Sequence, residues 1–227
     1  MPLPMVHLSV AKKYLEQEEI SNAGTTFFLG NIAPDSIHMR ANITRKNKDE
    51  THFIATGEKS INIDKLAELY PKYMAQSTDV EWEWFVRGYF MHVLTDCYWF
   101  NSVYPTFTGN PKVSGKTPAE KSSLYYQETD QIDFNLFKQQ SWRVDVWKDL
   151  KNAKSFDFGT LLTANEICQW RQRTFSFFQD PAKEPNTNLV YITNEIVDNF
   201  VNETVKRLRE QYQEWDRVLN NESNPIN

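Results

Sequence analysis

Along this chain apolar residues recur three and four positions apart far more often than they alternate, so the pattern predicts helices and almost no strand. Residues 4 to 17 carry a stripe of Val6, Val10 and Tyr14 beside a second of Leu8, Ala11 and Leu15. Pro4 is tolerated in the first turn because its missing N–H would have no intrahelical partner there. His7 falls at the edge of these apolar faces. After a break at residues 21 to 24, residues 26 to 33 form an apolar turn suited to burial, closed by Pro34 and Asp35. Residues 43 to 60 are polar and charged, with Thr51, His52 and Phe53 as the one apolar-flanked point. They read as a long loop, and loops held by a scaffold often carry functional groups. A helix over 62 to 76 follows, with Leu66, Leu69, Tyr70 and Tyr73 along one side. Asp79 is then placed to cap a long helix whose inward face carries Trp82, Phe85, Tyr89, His92, Asp96 and Trp99.

Beyond that helix, Pro105, Gly109, Pro111 and Gly115 mark residues 104 to 116 as a loop. Thr117 and Glu120 make a capping box with Pro118 at the first helical position, opening a helix to about residue 139; Thr163 and Glu166 open another to about residue 179. Pro181 and Pro185 break the chain before a last amphipathic helix over 193 to 219, with Ile196, Phe200, Val205, Leu208, Tyr212 and Trp215 inward. No internal repeat is present. The predicted architecture is an all-α, single-domain bundle of seven or so helices over residues 1 to 227. A first half to about residue 103 is joined to C-terminal helices over about 117 to 220.

Composition narrows the function. A net charge of −5 with scattered Lys and Arg provides no broad basic field, which argues against an extended nucleic acid partner but leaves a small phosphorylated substrate open. Cys97 and Cys168 lack the spacing of a disulfide framework and read as reduced thiols. No window approaches the roughly 20 apolar residues that span a bilayer, and the first residues lack the basic region and apolar block of a secretion signal. A cytoplasmic protein without a membrane span is therefore expected; the sequence leaves its oligomeric state open.

The candidate chemistry starts from His92 and Asp96. Four residues apart on a helix, they share a face about one turn, roughly 6 Å, from each other, and one ion could touch both. Imidazole with carboxylate is a normal pair for zinc or another first-row ion, but two ligands do not hold an ion tightly. Taken singly, each of the four histidines has an ordinary role: His7 on a helix edge, His38 in a turn, His52 in a loop, His92 bonded to Asp96.

Their order along the chain adds to this. Met5-Val6-His7, then Leu29 running to Ala33-Pro34-Asp35, then Thr51-His52-Phe53, then His92 and Asp96 together resemble the bacterial zinc-dependent phospholipase C family. That family shares its helical fold with the fungal single-strand-specific zinc nucleases, and the resemblance covers roughly residues 5 to 100. It implies one metal held by Asp35, His52, His92 and Asp96, with Asp35 as base or weak ligand. A second ion would be held through His7 and a bridging Asp96. Zinc is the first expectation, with manganese, iron or nickel as alternatives.

The implied activity is metal-dependent hydrolysis of a phosphoester, either a phosphodiester or a small phosphomonoester, by a metal-activated water. Arg40, and the basic segment Arg45, Lys46 and Lys48, lie between two ligand positions and are candidates for a substrate phosphate, Arg40 through its planar fork. No histidine follows His92, so the family's three-metal cluster cannot be completed in its usual way. Asp130 and Asp133 are second-tier substitutes, set against the plainer reading of a solvated acidic face. Trp82, Trp84, Tyr98, Trp99 and Phe100 either line a pocket or pack the core. The alternative from another class is a non-catalytic helical binding or regulatory module with a structural metal site.

Overall fold

The computed structural model describes residues 3–58 and 60–223. Among them the chain forms eleven α-helices and no named strand. In order these are α1 (Pro4–Gln17), α2 (Thr26–Gly30), α3 (Arg45–Thr51), α4 (Ile63–Met74), α5 (Val80–Asn101), α6 (Val103–Gly109), α7 (Pro111–Ser114), α8 (Pro118–Gln139), α9 (Arg143–Asn152), α10 (Ala164–Gln179) and α11 (Asn194–Ser223). Two 3-10 helices, Ala33–Met39 and Pro181–Lys183, join them. The all-α expectation holds. No helix among the described residues is long and apolar enough to cross a membrane.

α5 is the axis of the core. From Phe85 to Trp99 every residue except Arg87 is buried, as a helix apolar on all sides requires. Asp79 caps it by accepting the Glu81 N–H at 3.0 Å. α2 crosses it with almost no gap, because each helix offers a glycine to the other: a Cβ on Gly88 would overlap the Phe27 carbonyl, and one on Gly30 the Phe85 carbonyl. The close crossing also brings the Asn31 carbonyl against His92. Gly88→Ala is expected to destabilise the protein by about 3 kcal/mol, the upper range for overpacking, since backbone cannot swing aside as a side chain can. Urea unfolding would register this as a lower midpoint at unchanged slope.

Both stripes of α1 are buried, because α1 packs against α5, α8 and α11. Its first turn has no cap of its own, and Asp133 of α8 accepts the Met5 N–H at 3.0 Å. In the same helix Glu128 accepts the N–H groups of Val190, Tyr191 and Ile192 at 3.0, 2.9 and 2.7 Å, pinning the segment that leads into α11. The acidic run on α8 is therefore not a solvated face at these two positions.

Burial raises the Asp133 carboxyl well above its ordinary value, with Met5 partly offsetting the shift and Asp130 adding to it. A raised carboxyl favours the folded state below its unfolded pKa and costs stability as pH rises above it. Asp133→Asn keeps an acceptor for Met5 and removes that cost. It is expected to be more stable than wild type at pH 8, with the gap closing toward pH 4, as followed by thermal unfolding across that range.

The structure departs from the sequence pattern at four places. Residues 43 to 60 are not all loop: α3 lies within them, started by a reciprocal capping box between Thr44 and Asn47. The helix is too polar to show a stripe, and its box uses Asn where Glu or Gln is the usual mark. Residues 104 to 116 form most of α6 and all of α7, with Asn110 accepting the Lys112 N–H and Pro111 in the first turn, where proline starts a helix rather than breaking one. α9 went unpredicted because only Val146 and Leu150 are buried on it. In α11 the inward face includes Val197 and Val201, while Ile196 is half-buried.

Candidate metal centre

Four elements bring five side chains together. α1 supplies His7, the Ala33–Met39 3-10 helix Asp35, the end of α3 His52, and α5 both His92 and Asp96. All five are buried. Asp96 lies between the imidazoles: its Oδ1 is 3.4 Å from His7 Nε2, and its Oδ2 is 3.4 Å from His52 Nε2 and 3.7 Å from His92 Nε2. Asp35 closes the opposite side, 3.7 Å from His52 Nε2 and 4.0 Å from His92 Nε2. The rings of His7 and His92 stack at 3.8 Å and 7°.

Backbone contacts fix two of the rings. His92 Nδ1 is 2.9 Å from the Asn31 carbonyl, and His52 Nδ1 is 2.9 Å from the Lys48 carbonyl. A carbonyl only accepts, so each Nδ1 carries the hydrogen and each Nε2 turns a lone pair toward the carboxylates. This is the outer support that ligating histidines ordinarily have. Tyr89 holds the same corner by donating its hydroxyl to the Thr51 carbonyl at 2.7 Å. The chain then reverses at Phe53, whose φ of 55° is the left-handed conformation that a bulky residue rarely adopts. Phe53 holds it by packing against Tyr73, Tyr89, Phe90 and Phe158.

The electrostatics fit a cation. Burial pushes His52 and His92 each down to about 4, against partial support from the carboxylates, so both rings are neutral donors near neutral pH. Burial would raise Asp35, but the Lys48 ammonium at 3.3 Å, with His92 and His52, outweighs it and holds the carboxyl below the usual range. The Nε2 atoms of His52 and His92 and both Asp96 oxygens are buried without a hydrogen-bond partner. Buried polar atoms are ordinarily satisfied, and this many converging on one point could be satisfied by an ion. Two overlapping groups could hold a metal ion: Asp35, His52 and His92, and His7, His92 and Asp96. Two carboxylates would balance the charge of one divalent ion.

The cluster forms part of the wall of a cavity of about 580 Å³, reached through His52 and Asp96. His38, Arg45 and Lys48 line it, as do Phe100, Tyr104 and Tyr126. Asp35 does not line it, but its neighbours Lys48 and His38 do.

Arg40, expected beside a substrate phosphate, is committed elsewhere. Its Nε and second terminal nitrogen donate to Glu166 at 2.7 and 3.1 Å, and it also reaches the Leu161 carbonyl. Glu166 also caps α10, so Arg40 ties the Asp35 segment to that helix and is absent from the cavity wall. Lys48, by contrast, lines the cavity with its ammonium 3.3 Å from Asp35 Oδ1. Asp130 and Asp133 lie apart from the cluster, beside a smaller cleft with Trp170 and Phe177. Of the aromatics, Phe100 lines the cavity, while Trp82, Tyr98 and Trp99 belong to the core, Trp99 donating to the Tyr125 hydroxyl at 2.7 Å.

Comparisons with protein-family models, with curated proteins and with solved structures each return no match.

Proposed function

We propose that this protein is a metal-dependent phosphoester hydrolase related to the zinc-dependent phospholipase C and single-strand nuclease group, with zinc as its ion. The observation that carries the reading is the joining of two features: a converging set of buried imidazole and carboxylate donors, and a roomy cavity that meets that set and carries cations beside it. The order of His7, Asp35, His52, His92 and Asp96 along the chain supports the family resemblance.

A divalent ion at such a site supplies Lewis acidity and lowers the pKa of water toward 7. Asp35, His52, His92 and Asp96 would hold it, and Asn31 and Lys48 keep the rings aimed through their carbonyls. His7, stacked on His92 and facing the other oxygen of Asp96, would help hold a second ion, with Asp96 contributing to both. Lys48 and Arg45 orient the phosphate from the cavity side.

A purely structural metal in a binding module would call for closed coordination remote from any cavity; here His52 and Asp96 both border one. The two readings separate in one experiment. Protein loaded with zinc, manganese, iron or nickel is given a panel of phosphodiesters and phosphomonoesters. Turnover that a chelator stops is the expected result, and bound metal with no turnover on any ester would assign the structural role instead.

A further inference from the structure

Two sets of cavity-lining residues with different chemistry each include a candidate metal donor. Arg45 and Lys48 of α3 and His52, the residue that ends it, stand at i, i+3 and i+7, and all three line the cavity; Arg45 also donates to Asp49 at 2.7 Å. From α5 into α6, Asp96, Phe100 and Tyr104 stand at successive intervals of four and start at the other donor. Phe100 and Tyr104 stack at 5.7 Å and 14°, and with Tyr126 they are among the few large apolar residues left exposed. Among the described residues, Lys121 lines the cavity as a third cation, and Asp96 is the one carboxylate that does.

Lys48 is the most firmly built part of the cationic wall. Its Nζ lies 3.3 Å from Asp35 Oδ1 and 3.2 Å from His38 Nε2, while its carbonyl orients His52. An ammonium has three donors, and these two neighbours account for two of them. Among the described residues its ammonium has no third hydrogen-bond partner, and Lys48 borders the cavity. Counting formal charges, one divalent ion cancels Asp35 and Asp96, and Lys48 then leaves the donor end positive.

We infer that the Arg45–Lys48 face of α3 is a phosphate-binding wall that favours the dianion of a phosphomonoester carried on an aromatic group over a singly charged phosphodiester. This rests on the hydrolase reading above and specifies its substrate. The reaction is R–O–PO3²⁻ with H2O giving R–OH and HPO4²⁻. The water oxygen bonds to phosphorus, the P–O bond to the carrier breaks, and the departing oxygen takes one proton of the water. The monoester brings two negative charges to the donor end, where a diester brings one and a second substituent.

The test uses the zinc-loaded 227-residue chain and three measurements. Calorimetry with inorganic phosphate is expected to show binding by wild type and at least tenfold weaker binding by Lys48→Met at unchanged zinc content. Lys48→Arg, which keeps the charge, should stay within threefold of wild type, and this variant carries the test if Lys48→Met fails to fold. Equal phosphate affinity in wild type and Lys48→Met, or a Lys48→Arg as weak as a charge-free variant, would overturn the wall. For hydrolysis, Lys48→Met should lower kcat/KM for 4-nitrophenyl phosphate at least tenfold and for bis(4-nitrophenyl) phosphate less than threefold; equal losses would overturn the monoester preference. For the carrier, phenylphosphonate should bind at least tenfold more tightly than methylphosphonate, a gap that Phe100→Ala narrows, and equal binding would remove the aromatic part. If wild type hydrolyses neither ester, the hydrolase reading fails. The phosphate measurement then still decides the wall by itself.

Discussion

His92→Ala is expected to leave the protein with less than about a tenth of an equivalent of metal after gentle purification and with no chelator-sensitive phosphoesterase activity. His92 belongs to both groups of candidate donors, so removing its ring breaks each of them at once. The loss in activity should be at least about a hundredfold, since removing merely an outer support of a ligand already costs ten- to a hundredfold. Elemental analysis and turnover, checked against a far-UV spectrum for folding, make the comparison. A variant that kept both metal and activity would remove the site. His7→Ala is the informative companion, because it leaves Asp35, His52, His92 and Asp96 in place and should retain one equivalent.

Chelation of metal-loaded protein should lower its melting temperature by about 10 °C, with recovery when zinc is returned. The estimate takes ~4 kcal/mol for leaving buried charges without their counterion and about 2 to 4 °C per kcal/mol for a chain of this size. The sign of the pH dependence follows from the rings. His52 and His92 have folded values near 4, below the ordinary 6.5. Their share of the stability of the metal-free protein is therefore full above pH 6.5 and lost as pH falls toward 4. Differential scanning fluorimetry at pH 7.5 and 5, with and without chelator, would follow both effects. Absence of any chelator shift at pH 7.5 would mean that the cluster is stable empty and holds no ion.

Helices whose apolar positions recur at three and four could be read from the sequence with their caps: α1, α4, α5, α8, α10 and α11 all lie where the stripes and capping residues place them. Short or polar helices were not legible, because α3, α7 and α9 bury too few side chains to leave a period. The pairing of His92 with Asp96 is a property of helical spacing, and the positions of His7, Asp35 and His52 entered through their order along the chain. What depended on the tertiary structure was the use of the charged residues between them. Arg40 and Lys48 are alike in sequence as cations near a donor, yet Glu166, 126 residues away, takes Arg40 for the scaffold, while α3 turns Lys48 toward Asp35 and the cavity. Asp133 likewise becomes a cap for α1, 128 residues distant. Local sequence determines which residues share a helix face, because that depends on a repeat of 3.6 residues. Which partner a charged side chain meets depends on how helices far apart in the chain pack, and here that packing was set by the Gly30–Gly88 crossing and the burial of α5.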